Sequence, residues 1–190
     1  TYRTLIIQGP ATDIDKTNTL MKTLPTDPSP KRMMAEIHYY TPYQFCLMES
    51  DASWGKMFYF WGSGFHHSGT VDGVDRNSTW GEEAEMKALF NKMKTQFVDK
   101  GIPVVLGEYC TLRRSTLASE IQDLNYQSRA YFHQYATQQA KNYGLIPFYW
   151  DNGGAGNLAS GIFNRASGAV SDQLTLTALI QGAAEGNYPY

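Results

Sequence analysis

The stretch Ile102-Pro103-Val104-Val105-Leu106-Gly107-Glu108-Tyr109 joins a short branched apolar run to a carboxylate at its end. Such runs are typical of strands that are buried on both faces of a parallel sheet. Because side chains alternate along a strand, the pattern predicts that Val104, Leu106 and Glu108 share one face. A carboxylate at the end of a buried strand costs free energy unless it is paired or used. Glu108 is therefore either a structural ion-pair partner or a catalytic group.

Strand and helix patterns alternate along the rest of the chain. The sequence predicts four strands, at residues 4–8, 33–39, 103–108 and 145–149. Each strand is followed by a helical pattern with a capping signal. The first helix is capped by Asp13 or Asp15 and ends near Leu24, and the second begins at a Thr79-x-x-Glu82 capping box and ends at Gly101. The third is long and ends at Gly144, and the fourth is capped by Ser171. The alternation predicts an α/β protein with a parallel sheet, either doubly wound or half of an eight-stranded barrel.

Helical spacing also predicts which side chains face the core. In the second helix they are Met86, Leu89, Phe90, Met93 and Phe97; in the third Phe132, Tyr135, Ala136, Gln139 and Tyr143; and in the last Leu174, Leu179, Ile180 and Ala183.

The composition argues against several classes of function. The chain has 16 basic and 18 acidic residues and no basic stripe, so neither a nucleic-acid partner nor a membrane-surface partner is expected. It has no apolar run long enough to span a bilayer. No Gly-x-Gly-x-x-Gly follows a strand, and no cofactor is expected. Cys46 and Cys110 could pair, but free thiols are the preferred interpretation.

The connection from Thr41 to about Ser78 is long and rich in aromatic residues, which usually indicates a functional loop. Trp54 and Trp61 in this connection either stack on sugar rings or anchor the loop. The adjacent His66 and His67 could suggest a metal, but no pattern of Cys, Asp or Glu ligands surrounds them. A loop position is therefore the preferred interpretation for both histidines, and no metal is expected.

Three segments occur in an order and at a spacing that resemble a known family. They are residues 36–43 (Glu-Ile-His-Tyr-Tyr-Thr-Pro-Tyr), 104–109 (Val-Val-Leu-Gly-Glu-Tyr) and 147–153 (Pro-Phe-Tyr-Trp-Asp-Asn-Gly). Together they resemble the C-terminal half of a glycoside hydrolase family 5 enzyme of the endo-β-1,4-glucanase (cellulase) kind. Gln8-Gly9-Pro10 with Asp13-Ile14-Asp15 is similar to the fifth-strand loop of that family. The resemblance implies a (β/α)8 TIM barrel, of which residues 1–190 form strands five to eight.

The resemblance also implies residue roles. Glu108 corresponds to the nucleophile, and His38 and Tyr40 to the pair after the sixth strand, with the Tyr hydroxyl near the nucleophile. Trp150 corresponds to the tryptophan beneath the sugar at the cleavage point, and Asn152, in the same motif, joins the predicted substrate-binding set with Trp54 and Trp61. Without the resemblance, His38 would more simply be a core histidine.

The chain departs from the family pattern in one important respect. The family's acid/base Glu follows an Asn at the end of the fourth strand, and no Asn-Glu pair occurs in this sequence. Glu36 is a candidate for the missing acid, but it lies about 6.5 Å deeper than His38 along its strand. The preferred interpretation of Glu36 is therefore a structural partner for a cation. The predicted partners are therefore a β-glucan and the N-terminal half of the same catalytic domain.

These implications lead to an expected function and leave alternatives. We expect a retaining endo-acting β-1,4-glucanase that is secreted, periplasmic or at the cell surface, with this chain alone inactive. The alternatives are a catalytically incomplete carbohydrate-binding half-barrel, or the same scaffold acting on β-mannan.

Overall fold

The computed structural model describes residues 3–29 and 31–190. Its centre is one four-stranded sheet in the order β1-β2-β3-β4, and all three neighbouring pairs are parallel. The strands are β1 (Leu5–Gln8), β2 (Met33–Tyr39), β3 (Val104–Tyr109) and β4 (Leu145–Tyr149). All four predicted strands and their parallel pairing are confirmed, with bounds that differ by at most one residue.

In the part of the chain that the structure describes, five α-helices lie between and after the strands: α1 (Ile14–Leu20), α2 (Tyr43–Cys46), α3 (Glu83–Gln96), α4 (Ser119–Asn142) and α5 (Gln173–Glu185). The core lies between the helices and one face of the sheet. Ala35, Ile37 and Tyr39 of β2 point into it, as do the predicted side chains of α3. Glu36 and His38 of β2, and Tyr40 directly after it, are only half-buried and line the opposite face.

Strand β3 contains a bulge at Gly107, which changes the direction of the residue after it. Ile37 pairs with Leu106, but the next residue, His38, pairs with Glu108, so Gly107 is the extra residue. Val104 and Leu106 are fully buried in the core, whereas Glu108 lies on the face of His38. The prediction that these three residues share one face was therefore wrong. The bulge turns Glu108 out of the core, a use that bulges near active sites commonly have.

Two helix ends differ from prediction for local reasons. Helix α1 is capped by Asp13, whose Oδ1 accepts a bond from Lys16 N at 2.7 Å, but it ends at Leu20 rather than near Leu24. The backbone leaves the helical region at Met21, with φ −101° and ψ 66°, and Pro25 disfavours helical backbone at Leu24. The capping box at Thr79 was wrong, because α3 begins at Glu83. Gly81 interrupts the predicted helix because its φ of 75° is left-handed, and its N–H donates to Glu85 Oε2.

The inward face of α5 was predicted correctly only at Leu179, which is partly buried and packs against the core. Its buried residues are Thr175, Ala178 and Gly182, whereas Leu174 and Ile180 are 45% and 61% exposed. The cap is Asp172 rather than Ser171. The reason is the closeness of α4: a Cβ on Gly182 would lie 2.3 Å from the carbonyl oxygen of Gln134. Small residues permit this approach, and they determine which face of the helix is buried.

The long connection is a compact unit and not a structureless loop. It contains α2, a short 3-10 helix at Ser63–Phe65, and tight turns closed by Ala52 with Gly55 and by Val71 with Val74. Cys46 in this unit and Cys110 after β3 are both buried and unpaired, which confirms the preference for free thiols. Within the described ranges, no helix combines the length and the apolar character needed to cross a bilayer.

A buried charge cluster joins the segment after β3 to helices α4 and α5. Asp172 Oδ2 lies 2.8 Å from Arg113 Nη2 and 3.3 Å from Arg129 Nη1, while Asp172 Oδ1 accepts a bond from Thr175 N and caps α5. Burial alone would raise the pKa of Asp172, but Arg129 and Arg113 outweigh it and hold that pKa at about 2. The aspartate thus pairs with two buried guanidinium groups that come from different elements and offsets part of their charge.

We expect Asp172→Asn to lower the free energy of unfolding by about 3–5 kcal/mol, because it leaves both guanidinium groups without a charged partner. The matched control is Asp99→Asn, which breaks the exposed Lys94–Asp99 pair and should cost at most about 1 kcal/mol. Urea unfolding of the full-length protein measures both. Equal effects would contradict the assignment.

The same cluster predicts a pH dependence. The folded-state pKa of Asp172 is about 2, below the unfolded value near 3.9, so its contribution is complete above the unfolded value. It is lost as the pH falls from about 4 to about 2, and the wild type and Asp172→Asn should converge in stability there.

Candidate active site

The carboxyl ends of β1, β2 and β3 bring together five polar residues of the sequence motifs: Gln8, Glu36, His38, Tyr40 and Glu108. Tyr40 Oη donates a hydrogen bond to Glu108 Oε2 at 2.7 Å, and His38 Nδ1 lies 3.3 Å from the same oxygen. His38 Nε2 lies 3.1 Å from Glu36 Oε1, which also accepts a bond from Gln8 Nε2 at 3.4 Å. A chain of polar contacts therefore runs from Glu108 through His38 to the first strand.

Local sequence explains why these side chains meet. Glu36 and His38 lie two residues apart on one face of β2, with Tyr40 directly after the strand. The Gly107 bulge brings Glu108 to the same face from the neighbouring strand. The side chains of His38, Glu36 and Glu108 are 16%, 18% and 27% exposed, so ligands can reach Glu108 from the open end of the sheet.

Tyr40 is placed to act as a donor. Burial, and then its hydrogen bond to Glu108, raises the pKa of the Tyr40 hydroxyl well above its ordinary value. The hydroxyl therefore stays protonated and directs its hydrogen toward the carboxylate. His38 is not a satisfied core histidine, because both of its ring nitrogens face carboxylate oxygens.

The interpretation of Glu36 as the partner of a cation needs refinement. Its carboxylate contacts the His38 ring and the Gln8 amide, and no lysine or arginine of the described chain pairs with it. Glu36 therefore has a cationic partner only when both ring nitrogens of His38 carry a hydrogen.

A cleft of about 410 Å³ opens beside His38 and Tyr40. Residues 11–15 form one wall, and Tyr43, Trp80 and Glu85 form much of the other. Tyr43 and Trp80 are 45% and 42% exposed, so their ring faces are available to a ligand. Neither aromatic residue was singled out in the sequence. The only signals were that Tyr43 ends the segment 36–43 and that Trp80 directly follows the aromatic connection.

The four predicted aromatic and amide contacts divide into two groups. Trp54 is 66% exposed, at the turn closed by Ala52 and Gly55, and its ring centroid lies 6.0 Å from that of Tyr43. Trp150 follows β4 and is 44% exposed, and Asn152 Oδ1 accepts bonds from Gly154 N and Ser160 N. Their roles as sugar contacts stay predictions.

Trp61 does not belong to the site, and its assignment as a sugar contact was wrong. The ring is fully buried, its Nε1–H donates to the Gly81 carbonyl oxygen at 2.8 Å, and it packs edge-on against Phe132 at 5.0 Å. A ring enclosed on all sides cannot stack on a glucosyl unit, so Trp61 is an anchor of the connection.

The two histidines of the connection have structural partners. His66 Nε2 lies 2.7 Å from Glu82 Oε1, and the backbone of His67 exchanges hydrogen bonds with the Asn77 side chain. Within residues 3–29 and 31–190, no group of three or more His, Cys, Asp or Glu side chains could hold a metal ion.

Comparison with known proteins identifies this architecture. The sequence model of the family described as Cellulase (glycosyl hydrolase family 5) matches residues 1–156. The chain belongs to glycosyl hydrolase family 5. The four strands are accordingly part of a (β/α)8 barrel, covering its C-terminal half.

Relatives of this family 5 chain include endoglucanases and xyloglucanases. Endoglucanase A of Paenibacillus barcinonensis is 33% identical, over 95% of this chain and 44% of that protein. XEG5B, a xyloglucan-specific β-1,4-glucanase from a ruminal metagenomic library solved in complex with XXLG, is 36% identical with a TM-score of 0.85, over 99% of this chain and 48% of that one.

A third relative is the Bacteroides ovatus xyloglucanase, solved in complex with a XXXG heptasaccharide. It is 28% identical with a TM-score of 0.82, over 96% of this chain and 36% of that one. The chain spans less than half the length of each of these three relatives.

Proposed function

We propose that the full-length protein is a retaining endo-β-1,4-glucanase in which Glu108 is the nucleophile. The observation that carries this proposal is the placement of the Glu108 carboxylate at the carboxyl end of β3, where Tyr40 donates to it and His38 faces it. In barrels of parallel strands, active sites are found at this end. Family membership supports the reaction class.

The reaction proceeds in two displacements. Glu108 attacks the anomeric carbon and forms a glycosyl ester, while a second carboxyl group protonates the departing glycosidic oxygen. That second group then removes a proton from water, which attacks the same carbon and releases Glu108. Tyr40 holds the attacking carboxylate in place, since its hydroxyl keeps its proton.

The second carboxyl group must lie about 5–5.5 Å from Glu108, and we propose that the preceding half of the barrel supplies it. The carboxylates that line the cleft, and Asp151 after β4, have other partners. Asp13 caps α1, Asp15 pairs with Lys92, Glu85 accepts a bond from Gly81 N, and Asp151 accepts bonds from Gly153 N and Ile162 N.

The proposed substrate is a β-1,4-glucan, and we place xyloglucan beside cellulose and mixed-linkage glucan as the candidates. Two of the relatives described above act on xyloglucan according to their descriptions. The cleft beside Tyr40, with exposed Tyr43 and Trp80 and with Trp54 beyond, provides ring faces on which several sugar units could stack. Polysaccharides do not cross membranes, so we also propose that the enzyme acts outside the cytoplasm.

The test is an assay of the full-length protein on xyloglucan, carboxymethyl cellulose, mixed-linkage glucan and mannan. We expect oligosaccharides from at least one glucan, and NMR of the earliest product should show the β-anomer before mutarotation. Binding without cleavage would support the carbohydrate-binding alternative. Cleavage of mannan alone would show that the substrate is β-mannan and not a β-glucan. An initial α-anomer would exclude the double displacement.

We expect Trp80→Ala to weaken glucan binding by about 1–3 kcal/mol, by analogy with the loss of a base-stacking aromatic ring. The loss should raise KM more than it lowers kcat, because Trp80 lines the cleft and Glu108 is not among the residues that line it. The matched control is Tyr190→Ala: Tyr190 is 77% exposed and lies by Gly144, at the amino end of β4. An unchanged KM in Trp80→Ala would remove this cleft from the binding site.

A further inference from the structure

His38 lies between two carboxylates, and only one of them belongs to the proposed nucleophile. We propose that Glu36 is a positioning residue, which fixes the His38 ring and its protons so that Nδ1–H faces Glu108. This inference rests on the proposed function, because its catalytic consequence requires Glu108 to be the nucleophile.

Glu36 acts through His38 and not on a substrate. It lies one strand repeat deeper than His38, and its Oε1 lies 3.1 Å from His38 Nε2 on the side away from Glu108. Gln8 Nε2 also donates to this oxygen, which fixes the carboxylate from the neighbouring strand.

The donors and acceptors around the ring determine where the protons lie. An ionised carboxylate only accepts, so each ring nitrogen that faces one needs a hydrogen. Glu108 Oε2 accepts a bond from Tyr40, so this oxygen serves its neighbours as an acceptor. The arrangement that satisfies both carboxylates is an imidazolium with hydrogens on Nδ1 and Nε2. Without Glu36, the ring could turn or carry its only hydrogen on Nε2, with its lone pair facing Glu108.

The bulge residue provides independent support, because Gly107 makes room for the Glu36 side chain. A Cβ at position 107 would lie 2.3 Å from Glu36 Oε1, 2.9 Å from Cδ and 3.1 Å from Cγ. All three of these nearest atoms belong to Glu36. The same glycine that turns Glu108 toward His38 therefore also admits the carboxylate that holds His38 from behind.

The activity test compares Glu36→Gln and Glu36→Ala in the full-length protein. We expect Glu36→Ala to lower kcat by about 10–100-fold with KM nearly unchanged, the size seen when outer-shell partners of metal-binding histidines are removed. Glu36→Gln keeps an acceptor for Nε2–H but loses the charge, so its loss should be smaller. The matched control, Glu120→Gln in the exposed first turn of α4, should be neutral.

A spectroscopic test does not depend on activity. In protein labelled with 15N-histidine, and with His38 assigned through a His38→Asn variant, the wild type should show hydrogens on both ring nitrogens of His38. Glu36→Ala should shift at least one of these signals toward the unprotonated form. Unchanged His38 signals in Glu36→Ala would overturn the proposal, whatever the kinetics show.

A double-mutant cycle tests the contact itself. Gly107→Ala should lower kcat in the wild type because its methyl group displaces Glu36, but it should have little further effect in Glu36→Ala, where the three clashing atoms are absent. Additive losses would contradict the proposed contact. If the wild type is inactive but shows the expected His38 signals, the proposed function is wrong, whereas the proposed positions of the His38 protons are supported.

Discussion

Glu108→Gln should abolish glucan hydrolysis by the full-length protein, with kcat lower by about 10⁴-fold or more, the order seen when the nucleophile of another covalent enzyme is removed. Glutamine keeps the shape of the side chain and can still accept the bond from Tyr40. It cannot form the glycosyl ester, however, so the first displacement stops. Because a neutral amide is easier to bury than a carboxylate, the fold and the binding of glucan should be retained. Initial rates and isothermal titration of an oligosaccharide measure the two quantities separately.

A chemical rescue distinguishes the nucleophile from an acid. Azide should fill the space that Glu108→Ala leaves and attack the anomeric carbon of an activated aryl β-glycoside from the face that Glu108 uses. One displacement then gives an α-glycosyl azide. A β-glycosyl azide would show that Glu108 had been the acid/base, and an active Glu108→Gln variant would remove it from the chemistry. Glu120→Gln again serves as the control.

The strands were predictable because their signals are local. Each is a short apolar run between glycine, proline or capping residues, and these features specify an extended buried segment without knowledge of its neighbours. The alternation with helical patterns then requires crossover connections, which explains why the parallel pairing was also predictable.

The direction of Glu108 could not be predicted, because strict alternation along β3 ignores the bulge. Gly107 reads in the sequence as an ordinary strand glycine, although an isolated glycine in a strand often marks a bulge. What determines the bulge is the pairing of β3 with both neighbours, and that register is a property of the sheet. The right residue was therefore chosen, but its face was assigned incorrectly.

Contacts between distant segments explain the other differences. Trp54 and Trp61 lie seven residues apart in one aromatic loop, but only the packing of α4 against the loop buries Trp61. The Arg113–Asp172–Arg129 cluster joins residues 43 and 59 positions apart, and no local pattern marks such partners. Likewise, α5 buries its small residues because α4 lies so close, which hydrophobic spacing alone does not reveal.

The polypeptide of residues 1–190, expressed alone, should hydrolyse glucan at no more than background. The proposed acid belongs to the preceding half of the barrel, and general acid–base help is typically worth about 10²–10⁴-fold. In this chain β1 and β4 are the edges of the sheet, where Leu5, Ile6 and Phe148 are 50%, 49% and 54% exposed. These edges and side chains are where the preceding half should pack. Co-expression of that half as a separate polypeptide should therefore restore both activity and retention of configuration.

The choice of substrate separates a missing acid from a misfolded fragment. A dinitrophenyl β-glycoside has a leaving group that needs no proton, so folded residues 1–190 should release dinitrophenol in a first displacement that depends on Glu108. Polysaccharide should stay intact in the same sample, and circular dichroism should report the helices. If residues 1–190 cleave neither substrate and show no helical signal, the fragment is not folded, and the two co-expressed halves are assayed instead. Full hydrolysis of polysaccharide by residues 1–190 alone would instead show that this chain holds its own acid, and Glu36, the carboxylate that contacts His38, would be the first residue to test.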